Sequence, residues 1–155
     1  MSKSSTWKRS LSSAGVGLAA LIVSVTALSG QASADMIEGV EVDDGAVSVD
    51  AEGVTAAMPC ITSYGVKTCF DRAGDKVYVK DTEADGKSAV GLWKTNYTRD
   101  GGCRNKLGEG KWAVCNYNMR EPGHIQLQNA RYDGQTGKFT YPNPRVYSVW
   151  LPIGR

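Results

Sequence analysis

From Cys60 onward this chain is cut into short pieces by turn signals, and that punctuation limits the possible folds more than any other feature. Gly65, Arg72-Ala73-Gly74-Asp75, Asp85-Gly86, Gly108-Glu109-Gly110, Pro122-Gly123 and Gly134-Gln135-Thr136-Gly137 each separate short apolar or alternating runs. The clearest run, Lys76-Val77-Tyr78-Val79-Lys80, alternates with period two, as a strand with one buried face requires. Further strands are predicted over 61–64, 66–71, 88–97, 103–107, 111–117, 124–130, 138–141 and 146–151, with 98–102 as a polar, glycine-rich loop. No window from residue 60 holds helical spacing for three turns. Short strands between closely spaced turns predict an all-β domain, a small antiparallel sandwich or barrel.

The first residues carry a different pattern. Lys3, Lys8 and Arg9 precede an apolar stretch reaching Leu28, and Ala32-Ser33-Ala34 supplies small residues before Asp35. This is the composition of a secretion signal cleaved before Asp35. The apolar run is shorter than the ~20 residues of a membrane-spanning helix. Cleavage leaves 121 of the 155 residues, enough for one domain with a modest core. The expected organisation is a signal peptide over 1–34, an extended acidic arm over 35–59 and a disulfide-stapled β-domain over 60–155. Cys60, Cys69, Cys103 and Cys115 all fall in the exported part. An even count in a small secreted chain predicts two disulfides. Of the three possible pairings, Cys60–Cys69 and Cys103–Cys115 are favoured, because each pair brackets a plausible hairpin.

Charge is segregated along the exported part. Residues 35–58 hold seven acids (Asp35, Glu38, Glu41, Asp43, Asp44, Asp50 and Glu52) and no Lys or Arg. From Cys60 onward, fifteen basic residues face nine acids, a net of +6. The acidic segment has three readings: a flexible or removable leader, since acids and glycines favour disorder in isolation, the ordinary first strands of the sandwich, or a docking segment for another protein. Val40, Val42, Val47 and Val49 nevertheless alternate with acids and Ser48, and Met36-Ile37 precede them, as in a segment that adds a strand to a sheet. Met36, Ile37, Val40, Val42, Val47 and Val49 are therefore the expected partner-binding anchors, with the acids steering toward a basic groove. Trp112, beside the 108–110 turn, is a further interface candidate.

Catalytic and metal signatures are weak. His124 is the one histidine, no nucleophile-elbow pattern accompanies it, and its place at a strand start suits an ordinary surface residue. One histidine and four paired cysteines leave few metal ligands. Asp81 to Gly86 resembles half a calcium loop, but Leu92 stands where the closing Glu is required. Gly108-Glu109-Gly110-Lys111 lacks the spacing of a phosphate loop. Glu109, Glu121 and Asp133 fall near predicted loops, with nothing in the sequence to set a working separation for glycoside hydrolysis. Asn96-Tyr97-Thr98 fits a glycosylation sequon. The basic and aromatic residues between Lys94 and Trp112 suit a protein partner or solvated face better than nucleic acid in an exported chain.

Two stretches carry a resemblance. VYVKDTEADGKSAVGLW supplies Val79, Asp81, Asp85-Gly86 and Ala89-Val90. RDGGCRNKLGEGKWAVCNYNMREPGHIQLQNARYDG supplies Cys103-Arg104-Asn105, Cys115-Asn116-Tyr117-Asn118 and Ile125-Gln126-Leu127. In this the chain resembles a group of small, exported actinobacterial β-proteins. Within that group it is similar to the linker subunits of umbrella toxin particles, which pair a small β-domain with an extended N-terminal segment. The resemblance implies a secreted, non-enzymatic adaptor within an extracellular antibacterial toxin complex, its arm and its domain each meeting one partner. The implied partners are a repeat-bearing toxin spoke and a lectin-like subunit, with no cofactor, metal or nucleic acid. The alternative expectation is an inhibitor of secreted hydrolases presenting 99–107 or 107–112 as a braced loop. A third is a small hydrolase using Glu109, Glu121 and His124.

Overall fold

The computed structural model describes residues 35–47 and 58–154. The expected signal peptide, and Val49 with the rest of 48–57, lie outside the described residues. The strands are Asp35–Glu38 (β1), Val40–Val42 (β2), Cys60–Ser63 (β3), Val66–Asp71 (β4), Lys76–Asp81 (β5) and Ser88–Thr95 (β6). They continue with Asp100–Asn105 (β7), Trp112–Asn116 (β8), Gly123–Asp133 (β9), Lys138–Thr140 (β10) and Leu151–Ile153 (β11). Sheet A runs β1-β7-β6-β9-β10, with β11 also on β9, and sheet B runs β2-β8-β5-β4-β3. The fold is all-β and sandwich-like, as the turn spacing predicts. Among the described residues no helix is long and apolar enough to cross a membrane.

Alternation places the core. On β5, Val77 and Val79 point between the sheets and are fully buried, while Tyr78 points the other way. Phe70, Trp93, Ile125, Leu127 and Leu151 join the valines in the main core, each large side chain contributing about 1.5–3 kcal/mol by leaving water. Two buried asparagines join strands through that core. Asn105 donates to the carbonyls of Val79 and Lys111, both at 2.8 Å. Asn129 donates to the Val66 carbonyl at 2.7 Å and accepts the Thr68 hydroxyl at 2.6 Å. These bonds satisfy polar groups that would otherwise be costly to bury.

A second, smaller core lies on the opposite face of sheet B. Val47, Cys69, Tyr78 and Trp112 form it, with Val42, Met58, Cys60 and Val114 packed against them. Both favoured disulfides are present. Cys60 and Cys69 stand directly opposite on β3 and β4, so this bridge staples a hairpin as expected. Cys103 and Cys115 do something else. β7 and β8 do not pair: they belong to different sheets, so the 103–115 bridge ties the two layers together. The 106–111 segment is a crossover, pinned where Asn105 holds the Lys111 carbonyl.

Three element boundaries differ from expectation. The 98–102 loop is in part strand, because β7 begins at Asp100 and uses both glycines. A Cβ on Gly101 would sit 2.5 Å from the Trp93 ring, and one on Gly102 would sit 2.6 Å from Met36 Cε. β9 extends to eleven residues. The final strand is not 146–151 but Leu151–Ile153: the Ser148 hydroxyl takes the Leu127 N–H at 2.9 Å, replacing the next ladder bond, and Tyr147 makes only an isolated bridge to Gln128.

Candidate functional site

The acidic segment is seated on the domain of its own chain. β1 lies parallel to β7, from Asp35 opposite Gly101 to Glu38 opposite Arg104. β2 lies antiparallel to β8, with Val40 opposite Val114 and Val42 opposite Trp112. Between them the chain steps from one sheet to the other at Gly39, whose N–H donates to the Arg104 carbonyl at 2.9 Å. That step passes directly over the inter-sheet disulfide, since a Cβ on Gly39 would lie 3.1 Å from Cys103 Sγ. Eight residues therefore extend both sheets at the same side of the sandwich.

Charge complementarity accompanies the strands. Asp35 pairs with Arg99 at 2.8 Å, Glu38 with Lys106 at 2.8 Å, Glu41 with Lys111 at 2.6 Å and Asp44 with Lys80 at 3.0 Å. Asp44 is 73% exposed and Glu41 52%, so these are solvent-screened surface pairs that weaken further with salt. The hydrogen bond from Lys106 lowers the Glu38 pKa below its ordinary value. The hydrogen bond to Glu41 raises that of Lys111. The segment's acids and the domain's bases recognise each other within one molecule.

The expected anchors divide accordingly. Ile37 packs on the main core, and Val42 and Val47 pack around Trp112. Trp112, expected at an interface, is 4% exposed, beneath Lys67 and Lys80 whose ammonium groups lie 5.8 and 5.5 Å from its ring. The acidic segment itself, together with Met58, fills the space around this tryptophan. Val40 stands out at 71% exposed, and Met36 lines a cleft on sheet A. β1 and β2 end their sheets, so among the described residues their outer edges carry no further strand.

The weaker candidates have ordinary placements. His124 is exposed on β9, and its backbone N–H donates to Asn96 Oδ1 at 2.9 Å. Asp133 spends a carboxylate oxygen on the N–H groups of Gln135 and Thr136, which lowers its pKa. Glu83 and Asp85, the acids of the half calcium loop, both pair with Arg131. Burial raises the pKa of Asp81 beside them. Among the described residues no three His, Cys, Asp or Glu side chains are grouped to hold a metal ion.

One surface was not singled out from the sequence. Phe139, Val146, Tyr147, Val149 and Trp150 are exposed along the strip that borders β9, next to the cleft that Met36 enters. Their available signal was the density of aromatic residues around Pro142 and Pro144, which reads equally well as an interrupted strand. No protein-family model, curated protein or solved structure matches the chain.

Proposed function

We propose that this protein is a secreted, non-enzymatic adaptor that links subunits of an extracellular antibacterial toxin complex through its acidic N-terminal segment. The observation that carries the adaptor reading is the seat of that segment. Seven strand residues and four exposed ion pairs hold it across the edges of both sheets, a geometry of strand addition rather than of catalysis. Its own outer edges and the exposed Val40 remain for a second protein. The toxin-complex setting rests on the resemblance over about residues 76–133. Two disulfides suit an oxidising, extracellular or periplasmic setting.

The inhibitor alternative loses one of its loops. Arg99 is pinned by Asp35, and Asp100–Asn105 is a strand flanked by β1 and β6, which leaves 107–112 as its presenting turn.

The test is affinity capture from the native culture supernatant by the mature chain and by a Val40→Asp, Val49→Asp variant, read by mass spectrometry. Large exported repeat-bearing or lectin-like proteins are expected on the wild-type bait and absent from the variant. Identical capture by both baits refutes docking through the segment. Capture of a hydrolase, with inhibition of its activity by both baits, moves the assignment to inhibitor.

A further inference from the structure

The face of sheet A turned away from sheet B carries a cleft of about 620 Å³, on the scale of a small-ligand site. Met36 on β1 stands at one side, and Phe139, Tyr141 and Tyr147 stand at the other. Between them the surface is formed by Leu92 and Lys94 of β6 and by Gln126 and Gln128 of β9. The cleft lies on a sheet face, where backbone N–H and C=O groups are committed to the β6–β9 and β6–β7 ladders. An occupant must therefore bind through side chains, which disfavours an extended peptide adding as a strand.

The side chains present combine ring faces with neutral hydrogen-bonding groups. Phe139 and Tyr141 stack with 25° between ring planes and centroids 6.4 Å apart, making a continuous aromatic wall. The Lys94 ammonium lies 5.6 Å from the Tyr147 ring and 5.7 Å from that of Trp150, which steadies two aromatic residues that are 44% and 45% exposed. Gln126 donates to the Ser148 carbonyl at 2.9 Å, while the amide nitrogen of Gln128 is shut off from solvent and has no hydrogen-bond partner among the described residues. An unpaired buried amide is costly, so the Gln128 side chain gains by turning outward to meet a ligand oxygen in the cleft. Charge does not select an ion, because Lys94 is offset by Asp100 and Arg99 is paired with Asp35.

Apolar C–H faces for the rings, dense hydroxyls for the amides and no net charge are together the chemistry of a sugar. We propose that this cleft binds a neutral oligosaccharide, with room for roughly two or three sugar rings. Tyr141 and Tyr147 stack on its C–H faces, and Gln128, turned outward from its buried position, hydrogen-bonds its hydroxyls. This site is separate from the adaptor reading, and its test does not depend on a protein partner.

The experiment is saturation-transfer NMR on the mature, disulfide-bonded chain with cellohexaose, chitohexaose and maltohexaose, followed by titration of any sugar that responds. Transfer to the ring C–H protons of at least one is expected, with affinity at least tenfold weaker in Tyr147→Ala and in Gln128→Leu. Both positions lie outside the main core, and a thermal melt identifies any variant that has lost its fold, in which case Tyr141→Ala replaces it. No transfer to any of the three sugars overturns the proposal. Binding that both folded variants leave unchanged overturns it as well, as does burial of this face by a second copy of the chain without sugar binding.

Discussion

Replacing Gly39 by alanine tests the seat of the acidic segment with one methyl group. The added Cβ would lie 2.7 Å from Ala113 Cβ, 3.1 Å from Cys103 Sγ and 3.2 Å from the Val114 backbone nitrogen. Ordinary carbon contacts are about 3.5–4.0 Å. None of the three neighbours can turn aside, since one is backbone, one is a disulfide sulfur and one is a side chain without rotamers. The strain must be relieved by lifting residues 35–42, at a cost of about 1–3 kcal/mol. Of the main core, Cys103 alone is among the three nearest neighbours of that Cβ, so the sandwich should stay folded. Amide hydrogen exchange over 35–42 and along β7 and β8 is the assay, and 1–3 kcal/mol corresponds to roughly 5- to 150-fold faster local exchange. Gly45→Ala is the control, because nothing lies within 4 Å of its Cβ. Unchanged protection over 35–42 in Gly39→Ala would refute the packing argument, and so would equal loss of protection in both variants.

Three further outcomes follow from the same contacts. Asn105→Ala removes the donor to two carbonyls at 2.8 Å, one of them in the crossover, and should lower stability by about 1–3 kcal/mol in urea titration with no change of slope. The Cys103→Ser, Cys115→Ser double variant loses the bridge between sheets over a separation of 12 residues. It should cost about 3 kcal/mol by chemical denaturation and should release 35–42, which crosses that bridge. Glu38 has a lowered folded-state pKa, so its contribution to the seat is complete above the unfolded value and lost as pH falls through the folded one. Lys111 has a raised one, so its contribution is complete below the unfolded value and lost as pH rises through the folded one. Protection of 35–42 should therefore be greatest at intermediate pH, fall in acid and in strong alkali, and weaken in 1 M NaCl, as NMR titration would show.

Strand identity was legible wherever local pattern and burial agree. β4 matches its predicted range residue for residue, and β5 falls within one residue, because alternation and flanking turns both report one buried face. The pairing of Cys103 with Cys115 was legible as well, but the reason for it was not. A short glycine-rich connection between two strands looks the same whether they pair or leave for different sheets, and the difference is decided by Asn105 and the packing around it. Gly101 and Gly102 read as a loop because their strand role depends on Trp93 and Met36, which approach from elsewhere in the chain. Period and charge mark the acidic segment as a strand suited either to a partner's groove or to the start of its own sandwich. Sequence alone carried no information on whether the groove belonged to another protein or to its own chain.

That self-docking joins the two surfaces of the molecule. Met36 sits on the segment and also lines the cleft on sheet A, packed where a Gly102 side chain would otherwise be. Ile37 packs on the main core one residue later, and Val42 and Val47 cover Trp112 on sheet B. Displacing residues 35–47 would thus remove one wall of the cleft, loosen the cover over the second core and bare the edges of both sheets. A protein that drew on this segment would work against short strands of four and three residues and exposed ion pairs, and also against the burial of Ile37 and Val47. The sandwich beneath has its own core and two disulfides. The proposed adaptor role would use that division: the segment could leave its seat while the body keeps its shape.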